Sequence, residues 1–197
     1  MHRYNGSEVM FRRASACSLA AHQQAERATA ERGNGLSGME PAQREKDAVI
    51  ETIILAQAAA ESYVNWIFIQ ANVQPVSSSW LGRWGGLHRV GEALGRTVQY
   101  LPSEHNRFFR DLKAWRNYLV HGDEKAYNAL RSELTMSVND EPGDAREVID
   151  RLDSGLASGI VQRARAAFTW AAGQTGINAP SASWLSPTEL SSEPGSP

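Results

Sequence analysis

The 197-residue chain carries 20 Lys and Arg against 22 Asp and Glu, a formal net charge of −2, which excludes binding of nucleic acid through overall basicity and leaves only local charge for that purpose. With 42% hydrophobic and 21% charged residues, the composition is that of a folded chain long enough to bury one core. The single cysteine, Cys17, excludes an intramolecular disulfide and any multi-cysteine metal site, and suits a reducing, cytoplasmic setting.

Met1 to Arg13 holds no apolar run of the length a secretory signal needs, so no export is expected. Ser7 to about Arg32 is rich in Ala, Gln, Glu and Arg and free of Pro and Gly, which predicts a helix; its apolar stripe is thin, which predicts a peripheral one. Gly33, Gly35, Gly38 and Pro41 break the chain, and a second helix follows to about Asn72, with Ile50, Ile54, Glu61, Val64 and Phe68 on one face. Its apolar stretch Ala48 to Ile69 is interrupted by Glu51, Gln57, Glu61 and Asn65, each costly in a bilayer, so it reads as a buried helix and no membrane insertion is expected.

Val73 to Gly86 reads as a loop pinned by Trp80 and Trp84. Leu87, Val90, Leu94, Val98 and Leu101 mark a third helix stopped by Pro102. Ser103 then suits the N-cap of a fourth, with Phe108, Leu112, Trp115 and Leu119 on one face and Gly122 at its end. A shorter helix is predicted from Asp123 to Leu134, a polar turn over Val138 to Gly143, and a last helix from about Asp144 to Ala172 with Ile149, Leu152, Leu156, Ile160, Ala164 and Phe168 facing inward; Gly155 and Gly159 in it would permit close packing. With no alternating β pattern, the expected architecture is an all-α, up-and-down bundle of about five to six helices. Residues 1–40 form its peripheral helix and Gly-rich linker, 41–174 the bundle, and 175–197 a mobile Pro/Ser-rich tail.

Chemistry concentrates on the fourth helix. At 100° per residue its apolar arc leaves Arg110, Lys113, Asn117 and His121 on the opposite side, with Arg116 on the flank. From Arg83 to His121 seven Arg or Lys face three acids, a local +4 concealed by the overall charge. A basic helical face ending in an imidazole can hold a phosphodiester and move a proton near neutral pH, although arginines on an outer face are often only solvated and a His before a Gly often caps carbonyls.

The segment Arg116-Asn117-Tyr118-Leu119-Val120-His121, an Arg followed by a polar residue with four residues before the His, resembles the defining motif of the HEPN superfamily. Ala58-Ala59-Ala60-Glu61-Ser62-Tyr63-Val64-Asn65 looks like the family's earlier helix with its acidic residue, and the resemblance spans about Ala42 to Ala172. It implies a HEPN-like helical bundle acting as a metal-independent endoribonuclease, with no cofactor, in a toxin or phage-defence role. RNA is then the substrate, Arg116 neutralises the scissile phosphate, His121 transfers protons and Asn117 orients them. Arg110 and Lys113 would bind RNA, and a homodimer would bring two motifs together; an antitoxin or defence protein is the implied partner.

Glu61, a carboxylate on an apolar stripe, is expected either to pair with Arg116 as an orienting residue or to reach the surface at the stripe's edge. Asp123 either orients the imidazole or caps the next helix, capping being the better fit. Trp80 and Trp84 beside Arg83 are candidates for stacking on RNA bases. Cys17 has no activating base nearby in sequence. Two other functions stay open: a bundle of the same fold that binds RNA, nucleotide or protein without cleaving, and a purely structural helical oligomer.

Overall fold

Two alanine-rich helices organise the N-terminal half, α1 (Gly6–Gly33) and α2 (Met39–Gln70). In the computed structural model, which describes residues 6–97, 99–134 and 145–177, they form an antiparallel hairpin. Their turn uses Gly38 in a left-handed conformation (φ 60°), where a Cβ would lie 2.7 Å from the Ala28 carbonyl oxygen, so the position has room only for glycine. Along α1 the buried positions Ser7, Phe11, Ala14, Ala21 and Ala28 fall on one side. Small side chains there let the two backbones approach: Thr52 Oγ1 donates to Ala48 O at 2.8 Å and also lies 3.5 Å from the Ala14 carbonyl oxygen across the seam. The peripheral position expected for α1 is therefore corrected, since Phe11, Ala14 and Ala21 belong to the main core.

On α2 the buried stripe runs through Val49, Ile53, Ala56, Ala60, Val64 and Ile67. Of the stripe expected through Ile50, Ile54, Glu61, Val64 and Phe68, Val64 and Phe68 are buried, but the centre of the buried arc is turned by about one residue, which leaves Ile54 40% exposed and Glu61 in solvent. α2 is long and apolar enough to cross a membrane by length and composition, and 56% of its most apolar stretch is buried inside the protein.

The expected loop after α2 contains α3 (Trp80–Gly85), capped by Ser79, whose hydroxyl accepts from Gly82 N at 3.1 Å. The third helix is shorter than expected. α4 (Leu87–Ala93) ends because Gly95 turns left-handed (φ 67°) and Arg96 N donates back to Gly91 O at 2.9 Å. α5 (Ser103–His121) starts directly after Pro102, so Ser103 is its first residue and not its cap, and Gly122 (φ 61°) closes it as expected. α6 (Glu124–Glu133) follows.

The long last helix is broken into α7 (Ala145–Asp150) and α8 (Ser154–Thr175), because Asp153 Oδ1 accepts from Leu156 N at 2.7 Å and starts a new helix. Ile149 is 41% exposed instead of inward. A Cβ on Gly159 would meet nothing within 4 Å, and one on Gly155 only its own cap Asp153, so these glycines mark no close helix crossing. The turn expected over Val138 to Gly143 and residues 178–197 of the expected tail lie outside the described residues, whereas Thr175, expected to begin that tail, is the buried last residue of α8.

Among the described residues there are thus eight helices and no strand, against the five to six expected. α8 runs parallel to α2, with Ser154 N donating to Glu45 Oε1 (2.9 Å) near one end and Tyr63 Oη to the Phe168 carbonyl (3.4 Å) near the other. α5 runs antiparallel to α8, with His105 beside Trp170 and Asp111 beside Arg163. The four long helices consequently alternate in direction around a core of Tyr63, Trp84, Phe109 and Phe168, whose closest pair, Trp84 and Phe109, has ring centroids 4.4 Å apart.

Candidate functional site

α5 positions the motif. Phe108, Leu112 and Trp115 are buried as their spacing predicts, joined by Phe109 and Ala114, and they fix which way the rest of the helix faces. Gly122 N donates to Tyr118 O at 2.9 Å and ends the helix, leaving His121 as its last, exposed residue. Asp123 caps α6, its Oδ1 accepting from Ala126 N at 2.7 Å, which is the capping role and not the imidazole-orienting one.

Arg116, Asn117 and His121 lie within the last two turns of α5. His121 is five positions after Arg116, which puts them roughly 140° apart around the helix, whereas Asn117 and His121 are one turn apart and only about 40° different in direction. Asn117 bridges the gap: Arg116 Nη1 donates to Asn117 Oδ1 at 3.3 Å, turning the half-buried guanidinium toward the His121 stripe. The imidazole of His121 makes no hydrogen bond among the described residues. Beside the motif, Tyr118 packs against Tyr127 of α6 (6.0 Å), and Arg131 lies 5.7 Å from the Tyr127 ring.

The basic face is thinner than the sequence implies. Arg110 donates to Glu133 Oε1 from Nη2 (2.7 Å) and Nε (3.2 Å), and these hydrogen bonds push its pKa still higher. Its charge is answered within the protein, which leaves Lys113 as the exposed cation on the Asn117–His121 stripe.

Glu61 lies elsewhere. The pairings of α8 with α2 and with α5 set Arg116 level with about residue 51 of α2, so Glu61 stands some ten residues, roughly 15 Å, further along. It is exposed and forms no ion pair among the described residues, so the pairing with Arg116 does not form and the alternative, a carboxylate at the surface, holds.

The tryptophans near Arg83 are corrected too. Trp84 is fully buried with Nε1 donating to Ala60 O at 3.2 Å, and Trp80 is 8% exposed against Phe109, so neither offers a face to a base. Arg83 is spent on its own loop, its guanidinium donating to Ser77 O, Ser78 O and the Asn65 side chain. Cys17 donates to Glu51 Oε2 (3.2 Å); burial, reinforced by that carboxylate, pushes its pKa up to about 11, so the thiol stays protonated at neutral pH and is a poor nucleophile.

One buried charge escaped the sequence reading. Asp111 is only 9% exposed, 3.5 Å from Arg163 Nη1 through Oδ2, with Oδ1 unbonded. Burial raises its pKa, while Arg163 and Arg107 pull it down less strongly. The signal was present, because Asp111 is three residues after Phe108 and four before Trp115 and so shares the core face. Among the described residues no three His, Cys, Asp or Glu side chains gather as a metal-ligand set.

No protein-family model matches the chain, and no curated protein and no solved structure is similar enough to count as a match.

Proposed function

We infer that the chain is a metal-independent endoribonuclease of the HEPN type. The observation that carries the reading is the cluster at the end of α5, in which Asn117 ties the guanidinium of Arg116 to the stripe of an exposed, uncommitted His121. In this mechanism an imidazole takes the proton from the ribose 2′-hydroxyl, the oxygen attacks the adjacent phosphorus, and Arg116 neutralises the charge that builds on the non-bridging oxygens. The 5′-oxygen leaves with a proton, and the product ends in a 2′,3′-cyclic phosphate. One motif supplies one imidazole, whereas cyclisation profits from a base and an acid, so the active form is a homodimer whose two α5 ends line one cleft. Lys113 adds positive charge beside the phosphate path. A cytoplasmic toxin or phage-defence role, with an antitoxin or defence protein as partner, goes with this reading.

The test is cleavage of RNA by purified protein in excess EDTA. Cyclic-phosphate ends that disappear in His121→Ala support the assignment; activity that vanishes with chelator and returns with magnesium overturns it. The pairing of Arg110 with Glu133 favours a second reading, a HEPN-like module that binds without cleaving, because it removes one cation from the face that would grip RNA. Fluorescence anisotropy showing RNA binding with no cleavage would select it.

A further inference from the structure

A concavity with polar groups set among a largely apolar lining lies on the other side of α8. There α1 and α8 enclose a cleft of about 340 Å³. From α8 it is lined by Ser154, Ser158, Val161 and Arg165, and from α1 by Ser18 and His22 among others. At 100° per residue Ser158 and Arg165 point roughly 200° away from Arg163, whose guanidinium meets Asp111 of α5, so this cleft is separated from the Arg116–His121 cluster by the body of the helix.

Some polar groups of the cleft are partnered, since Ser15 Oγ donates to the Phe11 carbonyl (3.0 Å) and His22 Nε2 lies 3.4 Å from Glu26, whereas others are left unanswered by the described residues. Arg165 forms no ion pair among the described residues, and its Nε is buried with no hydrogen-bond partner, an arrangement that costs stability unless something supplies an acceptor. The hydroxyls of Ser18, Ser154 and Ser158 also make no hydrogen bond among the described residues. By contrast, Arg163, two positions earlier, has both Asp111 and the Phe108 ring (5.1 Å).

The two walls run in opposite directions, Phe11 of α1 packing on Phe168 of α8. Arg165 therefore sits toward the Ser15 and Ser18 end, and His22 toward the Ser154 end, roughly 10 Å away for seven residues of helix. An unpaired guanidinium with hydroxyl donors beside it matches the several peripheral oxygens of a phosphate better than the two of a carboxylate. No Phe, Tyr or Trp lines the cleft to stack a base, whereas hydroxyls, Gln162 and an imidazole suit a polyol lying over Leu19 and Val161.

We propose that the α1–α8 cleft binds a small sugar phosphate, its phosphate held by Arg165 and its hydroxyl groups by the serines and His22. This site is independent of the ribonuclease reading.

The experiment uses the full chain with glucose 6-phosphate as probe, read by isothermal titration calorimetry and by the shift in melting temperature, with glucose, inorganic phosphate and AMP for comparison. The expected result is saturable binding of glucose 6-phosphate that Arg165→Gln weakens roughly tenfold or more, the usual worth of a charge-assisted hydrogen bond. His121→Ala should bind as the parent does. Ser158→Leu, at an exposed position on the rim, fills the cleft without touching the core and gives the same loss should Arg165→Gln fail to fold. The proposal is overturned by no binding at millimolar ligand, by undiminished binding in both variants, by loss in His121→Ala, by AMP binding more tightly than glucose 6-phosphate, or by inorganic phosphate binding as tightly.

Discussion

Between Phe108 and Trp115, α5 lies in the aromatic core; from Arg116 to His121 the same helix turns its polar side chains to the surface. The backbone is continuous, so the difference rests on side chains alone. In the first stretch every residue on the inner face is held from several sides, down to Asp111, whose carboxylate is answered by an arginine of α8. In the second the polar groups answer only to each other, as Arg116 does to Asn117. The buried stretch sets the direction of the helix, and the exposed stretch can hold reactive groups without stability depending on them.

That contrast can be broken most directly at Arg116. Arg116→Ala should lower RNA cleavage about 10²- to 10⁴-fold, the usual loss when a positioned catalytic group is removed, while the melting temperature stays that of the parent. Asn117→Ala should lower it less. A large fall in melting temperature for Arg116→Ala would make the end of α5 as structural as its middle. The converse substitution is Phe109→Ala, which leaves a cavity beside Trp84 and should cost about 3–5 kcal/mol by denaturant unfolding.

The boundary between the two regions is sharpened by Gly122→Ala. The left-handed φ of 61° disfavours any residue with a Cβ by about 1–2 kcal/mol, so stability should fall by that order and cleavage should drop as His121 shifts. The smallest effect belongs to Asp111→Asn and appears as a pH dependence. Burial holds the Asp111 carboxyl above its ordinary 3.8, so the folded state binds the proton more tightly than the unfolded one, and stability is lost as pH rises through that raised value. Melting curves across the acid range should show Asp111→Asn gaining on the parent as pH increases; the opposite slope would mean that the attraction of Arg163 outweighs burial.

The termini of α5 and α6 were legible because the residues that set them act locally: Pro102 and Gly122 bound one helix, and Asp123 caps the other. The inner face of α5 was legible from its large side chains. α1 was misjudged for a physical reason, since alanines at positions 14, 21 and 28 carry little hydrophobicity yet permit close approach, and their value depends on the partner helix. The α2 stripe, right at Val64 and Phe68, failed in the same way elsewhere. Reading Ile50 and Ile54 as inward ignored that Ala56 and Ala60 could line the seam, and the error of one residue moved Glu61 from a supposed core stripe to water. Arg116, Asn117 and His121 could be proposed from the sequence because they are close along one helix; Asp111 and Arg163 meet only through the fold, so sequence spacing pointed to the first group and not to the second.

The Gly38 turn also bears on how the chain reaches this fold. It closes α1 on α2 with only a few intervening residues, so this pair can meet at little entropic cost and needs nothing from the rest of the protein to find its register. Tyr63 and Phe168, 105 residues apart, can meet only after the intervening chain has been brought back. The alanine seam is thus suited to serve as an early template, with α8 docking late onto a surface that α1 and α2 have already built.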